Sequence, residues 1–397
     1  MKLSACLLAT LLSVLLRTGT VHADVINLNV VPIAFLDLGT LPDFNASHAV
    51  AVNDRGEVVG QSYTDDFDYH GFFWSQAVGM IPLGSLGGGY SAAVAISRRG
   101  EVVGEASTAD GSRRAFLWTL DGGMTDLGTL GGNASQARAI NAKGDIVGFS
   151  ETADGQVHAF LWTAASGMMD LATLGGGFSV AGAVNDRGEV VGTSTTLEGT
   201  FHAFLWTATE GMIDFGTLGL ESSGAGAVNE RGQVIGSFLT VDFTLHAFSW
   251  TRNGGLIDLG TLGGPSTQAW SLNDRGQVVG ESYRADGFPT AFLWTATDGM
   301  IDLGTLGGDY SAAVAINAEG AIVGTSGIAG GLGHAFVWTA KDGMRDLGAP
   351  PLGAGSAAAS VNSKGDVVGA AWVESGVPHA SIWLANTRAS REDASGW

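Results

Sequence analysis

The sequence is poor in cysteine, proline and positive charge. Its one cysteine, Cys6, sits inside an apolar leader, so no disulfide framework staples the chain. Lys and Arg number 19 against 39 Asp and Glu, a formal charge of −20. Nucleic acid and anionic membrane surfaces demand clustered basic charge, so neither is an expected partner. Only 8 prolines stand beside 62 glycines, and 45% of the 397 residues are apolar. Disordered chains are depleted in apolar residues and rich in proline. This composition describes a folded chain with many tight turns. Beyond the leader, no segment is long and apolar enough to cross a bilayer.

The leader has the plan of a secretory signal. Lys2 precedes the run LSACLLATLLSVLL (3–16), Arg17 breaks it, and VHA (21–23) offers a small-residue cleavage pattern. LSAC resembles a lipoprotein box, but Cys6 precedes most of the apolar run instead of following it. The expected signal peptide is therefore 1–23. Its removal leaves 17 basic against 39 acidic side chains and no cysteine. The expected location is extracellular or periplasmic, with no membrane insertion after cleavage.

What the sequence does have is a repeat. One block recurs eight times, from NDRGEVVG (53–60) through NAKGDIVG (141–148) and NDRGQVVG (273–280) to NSKGDVVG (362–369). The step is 44 residues six times, then 45. Trp74, Trp118, Trp162, Trp206, Trp250, Trp294, Trp338 and Trp383 keep the same step. So does a DLGTLGG-like block, as at 126–132, 258–264 and 302–308. Three different blocks at one period mark a repeat architecture.

Each unit reads as four short strands. In 311–348 these are SAAVAIN (311–317, strand a), GAIVGTS (320–326, strand b), HAFVWT (334–339, strand c) and MRDLG (344–348, strand d). Asn-x-x-Gly joins a to b as a tight turn, with Gly at positive φ and Asn bonding its own backbone. No helix follows these glycines, so they are not phosphate loops. One such unit cannot cover its own apolar faces, and stacking against neighbours supplies the cover. The expected fold is all-β: an eight-bladed β-propeller of four-stranded antiparallel blades spanning 24–388, with a loose tail at 389–397. The segment NVVPIAFLDLG (29–39) matches strand d, and HASIWL (379–384) matches a strand c that has no d after it. The N-terminal strand is thus expected to complete the last blade and close the ring.

The recurring His-Ala-Phe step, at 158–160, 202–204, 246–248 and 334–336, combines with DLGTLGG and N-x-x-G-x-V-V-G. Together they resemble the bacterial HAF-family extracellular repeat over nearly all of the chain past the leader. The resemblance implies an exported bacterial protein of propeller type and carries no activity over to particular residues. Arg114 and Thr290 replace the His, Gly71 the Ala and Ser381 the Phe.

With strand a innermost, positions can be counted back from the Asn that ends it. Ser or Thr stands six places before and Ala four places before in every unit, small residues suited to a crowded axis. The alternating positions vary and include His48, Gln136, Arg138, Gln268 and Trp270. Arg and Trp are costly in a crowded ring unless they reach solvent or a partner. The b–c and d–a loops share the opposite end from the stereotyped a–b turns, and their variation puts Tyr63, Tyr90, Phe178, Tyr283, Asp309 and Tyr310 on one rim. The expected binding residues are Trp270, Arg138, Gln136, Gln268, Tyr90, Tyr310, Asp309 and Phe178.

Catalytic chemistry is thin. The scanned inner-strand positions hold no Asp or Glu, and the six strand-c histidines are spread one per unit, which does not make a zinc cluster. TADG (108–111 and 152–155) lacks calcium-loop spacing, and no G-x-S-x-G, P-loop or dinucleotide fingerprint occurs. No metal or cofactor is expected. The expectation is a monomeric, secreted, non-enzymatic scaffold that binds carbohydrate or protein through its variable rim. The alternatives are a propeller hydrolase or lyase acting at the channel mouth through Arg138, Glu221 and Asp309, or a purely structural extracellular protein.

Overall fold

The computed structural model describes residues 34–66, 68–216, 222–348, 355–373 and 376–385. The expected signal peptide and the 389–397 tail lie outside these residues. The described part is all β, in strands of four to ten residues. Units 1 to 7 span 46–82, 87–126, 131–170, 175–214, 222–258, 263–302 and 307–346, each with strands a to d in meander order. Unit 8 supplies Ser356–Val361, Val367–Trp372 and Pro378–Leu384 as a, b and c. Where eight separate sheets are expected, the described residues form seven. Six have four strands, and one of eight strands merges units 3 and 4 through a parallel bridge between Val157 and Phe178. The strand Ala34–Gly39 pairs antiparallel with Pro378–Leu384, from Ala34 opposite Leu384 to Gly39 opposite Ala380.

The core lies between units. The HAF phenylalanines, from Phe72 to Phe336, and the paired Val/Ile of strand b are fully buried. One cluster packs Val59 and Phe73 of unit 1 against Ala93, Val102 and Phe116 of unit 2. Another joins Val58 and Phe72 of unit 1 to Leu38 and to Val368, Ala380 and Ile382 of unit 8. Each buried Phe or Val contributes about 1.5–3 kcal/mol, which a unit standing alone would forfeit.

The a–b turn does two jobs. Gly56 takes φ 78°, and Asn53 Oδ1 accepts the backbone N–H groups of Arg55 and Glu57. Asn53 Nδ2 also donates to the Ser97 carbonyl of the next unit, 3.1 Å away. Asn141, Asn185, Asn229, Asn273 and Asn317 repeat that donation to the next unit, and Asn362 donates to the Asn53 carbonyl across 309 residues of sequence. Unit 2 breaks the series. Ser97 has a hydroxyl in place of the amide; it bonds Glu101 and makes no bond to Asn141. Ser97→Asn is therefore expected to add one interunit hydrogen bond, about 1 kcal/mol, read as a higher melting temperature. An unchanged or lower melting temperature would contradict that assignment.

The Ser/Thr of strand a also links units. Ser135 Oγ donates to the Gly128 carbonyl and accepts the N–H of Ala115 in the preceding unit. Ser47 does the same with Gly39 and Ala380. Strand a also starts earlier than the sequence predicts. In unit 7 it runs Gly307–Ile316, because the GGDY loop pairs with the end of strand b through Gly307 and Ile328.

Candidate functional site

Every strand a carries a register shift just past the Ala four places before the Asn, such as Ala137/Ala139 in unit 3 and Ala269/Ser271 in unit 6. The extra residue, three places before the Asn, is turned out of the ladder. Bulges re-aim side chains in this way, and they recur beside functional sites. The residues so placed include Val50, Arg138, Gly182, Trp270 and Ala359. Arg138 and Trp270 are exposed, while Ala137 is fully buried and Ala269 partly buried.

In unit 6 the bulge assembles a cluster. Trp270 is 39% exposed, and its indole N–H donates to Gln268 Oε1 at 3.3 Å. Gln268 stands opposite Glu281 of strand b, Val278–Arg284. This strand-b position points at the next unit's inner strand. In unit 1 it is Gln61, which donates to the Ala93 carbonyl at 3.0 Å, and in unit 4 it is Thr193, against Gly224. Glu281 is half-buried and has no hydrogen-bond or ion-pair partner among the described residues. Burial, which disfavours the charged form, raises its pKa above the ordinary glutamate value.

Three other clusters are self-contained. In unit 2, Tyr90 donates to Glu105 at 2.9 Å, and Arg113 pairs with Glu105 at 2.9 Å while lying 4.0 Å over the tyrosine ring. Burial and the Glu105 charge push Tyr90 up to about 12, so it stays a neutral donor. In unit 3, Arg138 sits 5.3 Å over the Phe149 ring. In unit 1, His48 neighbours Tyr63, and burial lowers its pKa against the opposing hydrogen bond from Gln61.

The structure brings two of the expected binding residues, Gln268 and Trp270, together. Gln136 and Arg138 lie on strand a of unit 3, Tyr90 in unit 2, and Asp309 and Tyr310 in unit 7. The rim aromatics pack down on their own units. Phe178 meets Phe201 edge-on at 5.8 Å, and Tyr310 lies over Gly327 and Gly333. Arg138 and Asp309, two of the candidates for catalysis, stand in different units, and Glu221 lies outside the described residues. Sequence reasoning missed Glu281 because it scanned strand a alone. The signal was the variable residue after each V-V-G: Gln61, Glu105, Phe149, Thr193, Ser237, Glu281, Thr325 and Ala370. A cavity of about 670 Å³ lies at the a–b turn end between units 8 and 1, lined by Arg55, Trp74, Lys364 and Leu384, away from these clusters.

No family model matches the chain, and no curated protein does. Solved structures do. A chain from a study of two prolyl endopeptidases gives a TM-score of 0.54 at 10% identity, over 82% of this chain and 54% of that chain. The β-propeller domain of the Trilobed protease from Pyrococcus furiosus gives 0.50 at 11%, over 77% of this chain and 96% of that domain. A puromycin hydrolase gives 0.50 at 13%, over 77% and 54%. The fold is a β-propeller. The expectation that the chain is not an enzyme is corrected by these neighbours, because chains named as peptidases carry the same fold. At this identity the likeness shows the fold alone.

Proposed function

We propose that the eight units close into one ring, with Ala34–Gly39 as the fourth strand of the last blade, and that the channel mouth at unit 6 takes up a saccharide. Closure is supported by the ladder of Ala34–Gly39 on unit 8 and by the Asn362–Asn53 and Ser47–Ala380 bonds. Strand a of unit 8 also lies against strand a of unit 1, as every other strand a lies against the next.

The cluster of Trp270, Gln268 and Glu281 carries the ligand reading. A partly exposed indole offers an apolar platform to the C–H face of a sugar. An amide and a carboxyl beside it serve hydroxyl groups. Glu281 favours a second reading at the same place. A carboxyl whose pKa burial has raised holds a proton that it can deliver to a leaving oxygen, as hydrolysis or elimination requires. The proposal includes export after loss of residues 1–23 and kinship with the HAF-type extracellular repeat proteins.

A glycan array on the purified chain, followed by titration and product analysis with each retained glycan, tests this. Trp270→Ala is expected to weaken retention at least about tenfold, some 1.4 kcal/mol. Glu281→Gln separates the two readings: retention kept with turnover lost marks a proton donor, and a parent chain that retains without turnover marks binding alone. A chain that neither retains nor cleaves any glycan would sink both. Glu281→Gln has a stability signature as well. The native state holds this proton more tightly than the unfolded chain, so the parent loses stability as pH rises from the unfolded pKa through the folded one. The Gln variant is expected to melt above the parent on the alkaline side of that window and to lose this advantage on the acidic side.

A further inference from the structure

The b–c turns differ around the rim. In units 2 and 3 the turn tips are polar or small, with Asp110 and Asp154 exposed, and in unit 1 Asp65 and Asp66 are exposed beside Phe67 in the sequence TDDFD. In units 4 to 7 the same turns expose large apolar side chains: Leu197, Phe201, Val241, Phe243, Phe288 and Leu332. These four units are consecutive, so the side chains form one arc. Soluble proteins seldom expose such a run without a use for it.

Phe243 makes the strongest case. It is 75% exposed and sits at φ 58°. Units 2, 3, 4 and 6 hold Gly111, Gly155, Gly199 and Gly287 there, at φ 82° to 87°, while unit 1 has Phe67 at this sequence position. A bulky residue in the left-handed region is strained, and an exposed ring adds an apolar surface in water. Glycine would relieve both. The fold gains nothing from this phenylalanine, which leaves a contact outside the chain as its use.

Charge identifies the kind of partner. Glu198, Asp242 and Asp286 stand exposed among the apolar tips. The arginine at these turns, Arg284, is already paired with Asp286. Glu198 and Asp242, which have no ion-pair partner among the described residues, repel an anionic lipid surface and attract basic side chains. We propose that the rim of units 4 to 7 docks a polypeptide partner that presents apolar and basic side chains together. This surface lies apart from the Trp270 cluster, so each reading stands or falls alone.

The test uses the purified chain and an immobilised leucine–lysine peptide with one apolar and one cationic face. Lysine–glycine and leucine–glutamate peptides serve as comparisons. The parent is expected to bind the leucine–lysine peptide, more weakly as salt rises, and to bind the other two at least tenfold less. Phe243→Gly combined with Leu197→Ser is expected to lose at least tenfold. Val78→Ser with Leu120→Ser, exposed apolar residues of the opposite end, and Trp270→Ala are expected to leave binding unchanged. Phe243→Gly alone is expected to raise the melting temperature while weakening binding. Equal binding of the lysine–glycine peptide, binding indifferent to the Phe243 and Leu197 changes, or a lower melting temperature for Phe243→Gly would overturn the proposal. So would a Phe243-dependent dimer in sedimentation, or binding to phosphatidylglycerol vesicles in place of the peptide.

Discussion

Gly236→Ala is expected to cost about 3 kcal/mol or more, enough to lower the melting temperature by several degrees or to prevent folding. The Cβ it would add lies 2.0 Å from the Gly224 carbonyl oxygen and 2.8 Å from the Ala225 Cα, both backbone atoms of strand a. The Phe248 ring, 2.7 Å away, closes the other side. Neither wall can yield without breaking the a–b ladder or the core. The third residue of V-V-G meets the same wall in the other seven units, at 1.9 to 2.0 Å from a strand-a carbonyl. The turn glycine Gly232, by contrast, has φ 78° and would meet only the Arg187 and Glu189 side chains. Thermal melts of Gly236→Ala and Gly60→Ala check this; a variant within about 1 kcal/mol of the parent would show that the strands separate more easily than the register implies.

Removal of the segment up to Gly39 is the second large effect. It strips Leu38 from the cluster that joins units 1 and 8, and Phe35 from the face of Trp383, 5.7 Å away. It also removes Asp37 from His379 and the Gly39 carbonyl from Ser47. Two apolar side chains at about 1.5–3 kcal/mol each, with the newly exposed Trp383, amount to roughly 5 kcal/mol or more. The bared edge of Pro378–Leu384 would template pairing with other chains. Earlier melting with concentration-dependent association in sedimentation is expected, reversed by a peptide of residues 29–41 added in trans. A truncated chain as stable and monomeric as the parent would contradict the pairing role.

The period, the four strands and the turn glycines were legible because each is a local property of one unit. Gly56 needs positive φ whatever surrounds it, and the spacing of Trp74 and Trp118 needs no structure to be seen. Contacts between units were legible only in part. Asn53 reads as a turn residue, and its second bond, to Ser97, appears only when the next unit is set beside it. The V-V-G glycine reads as a weak strand residue, since its reason lies in a carbonyl on the neighbouring strand. Tyr90 and Phe178 read as exposed rim aromatics, yet each finds a partner on its own unit. Trp270 was visible as an odd residue, while Glu281 needed the a–b register to be placed opposite Gln268. Phe243 stood in plain sight in SFLTVDFTLH, but its strain is a matter of φ, which no composition reports.

Closure of the ring is the claim on which the rest stands, and a disulfide across its seam tests it. Ala34 and Leu384 face each other in the ladder between the first described strand and the last. In a chain carrying Cys6→Ser, Ala34→Cys and Leu384→Cys, oxidation of the monomer is expected to link the two ends. A protease cut in a b–c loop should then leave fragments that part only on reduction. Monomers that stay unlinked under oxidation, or link only to one another, would show that the units run on without closing.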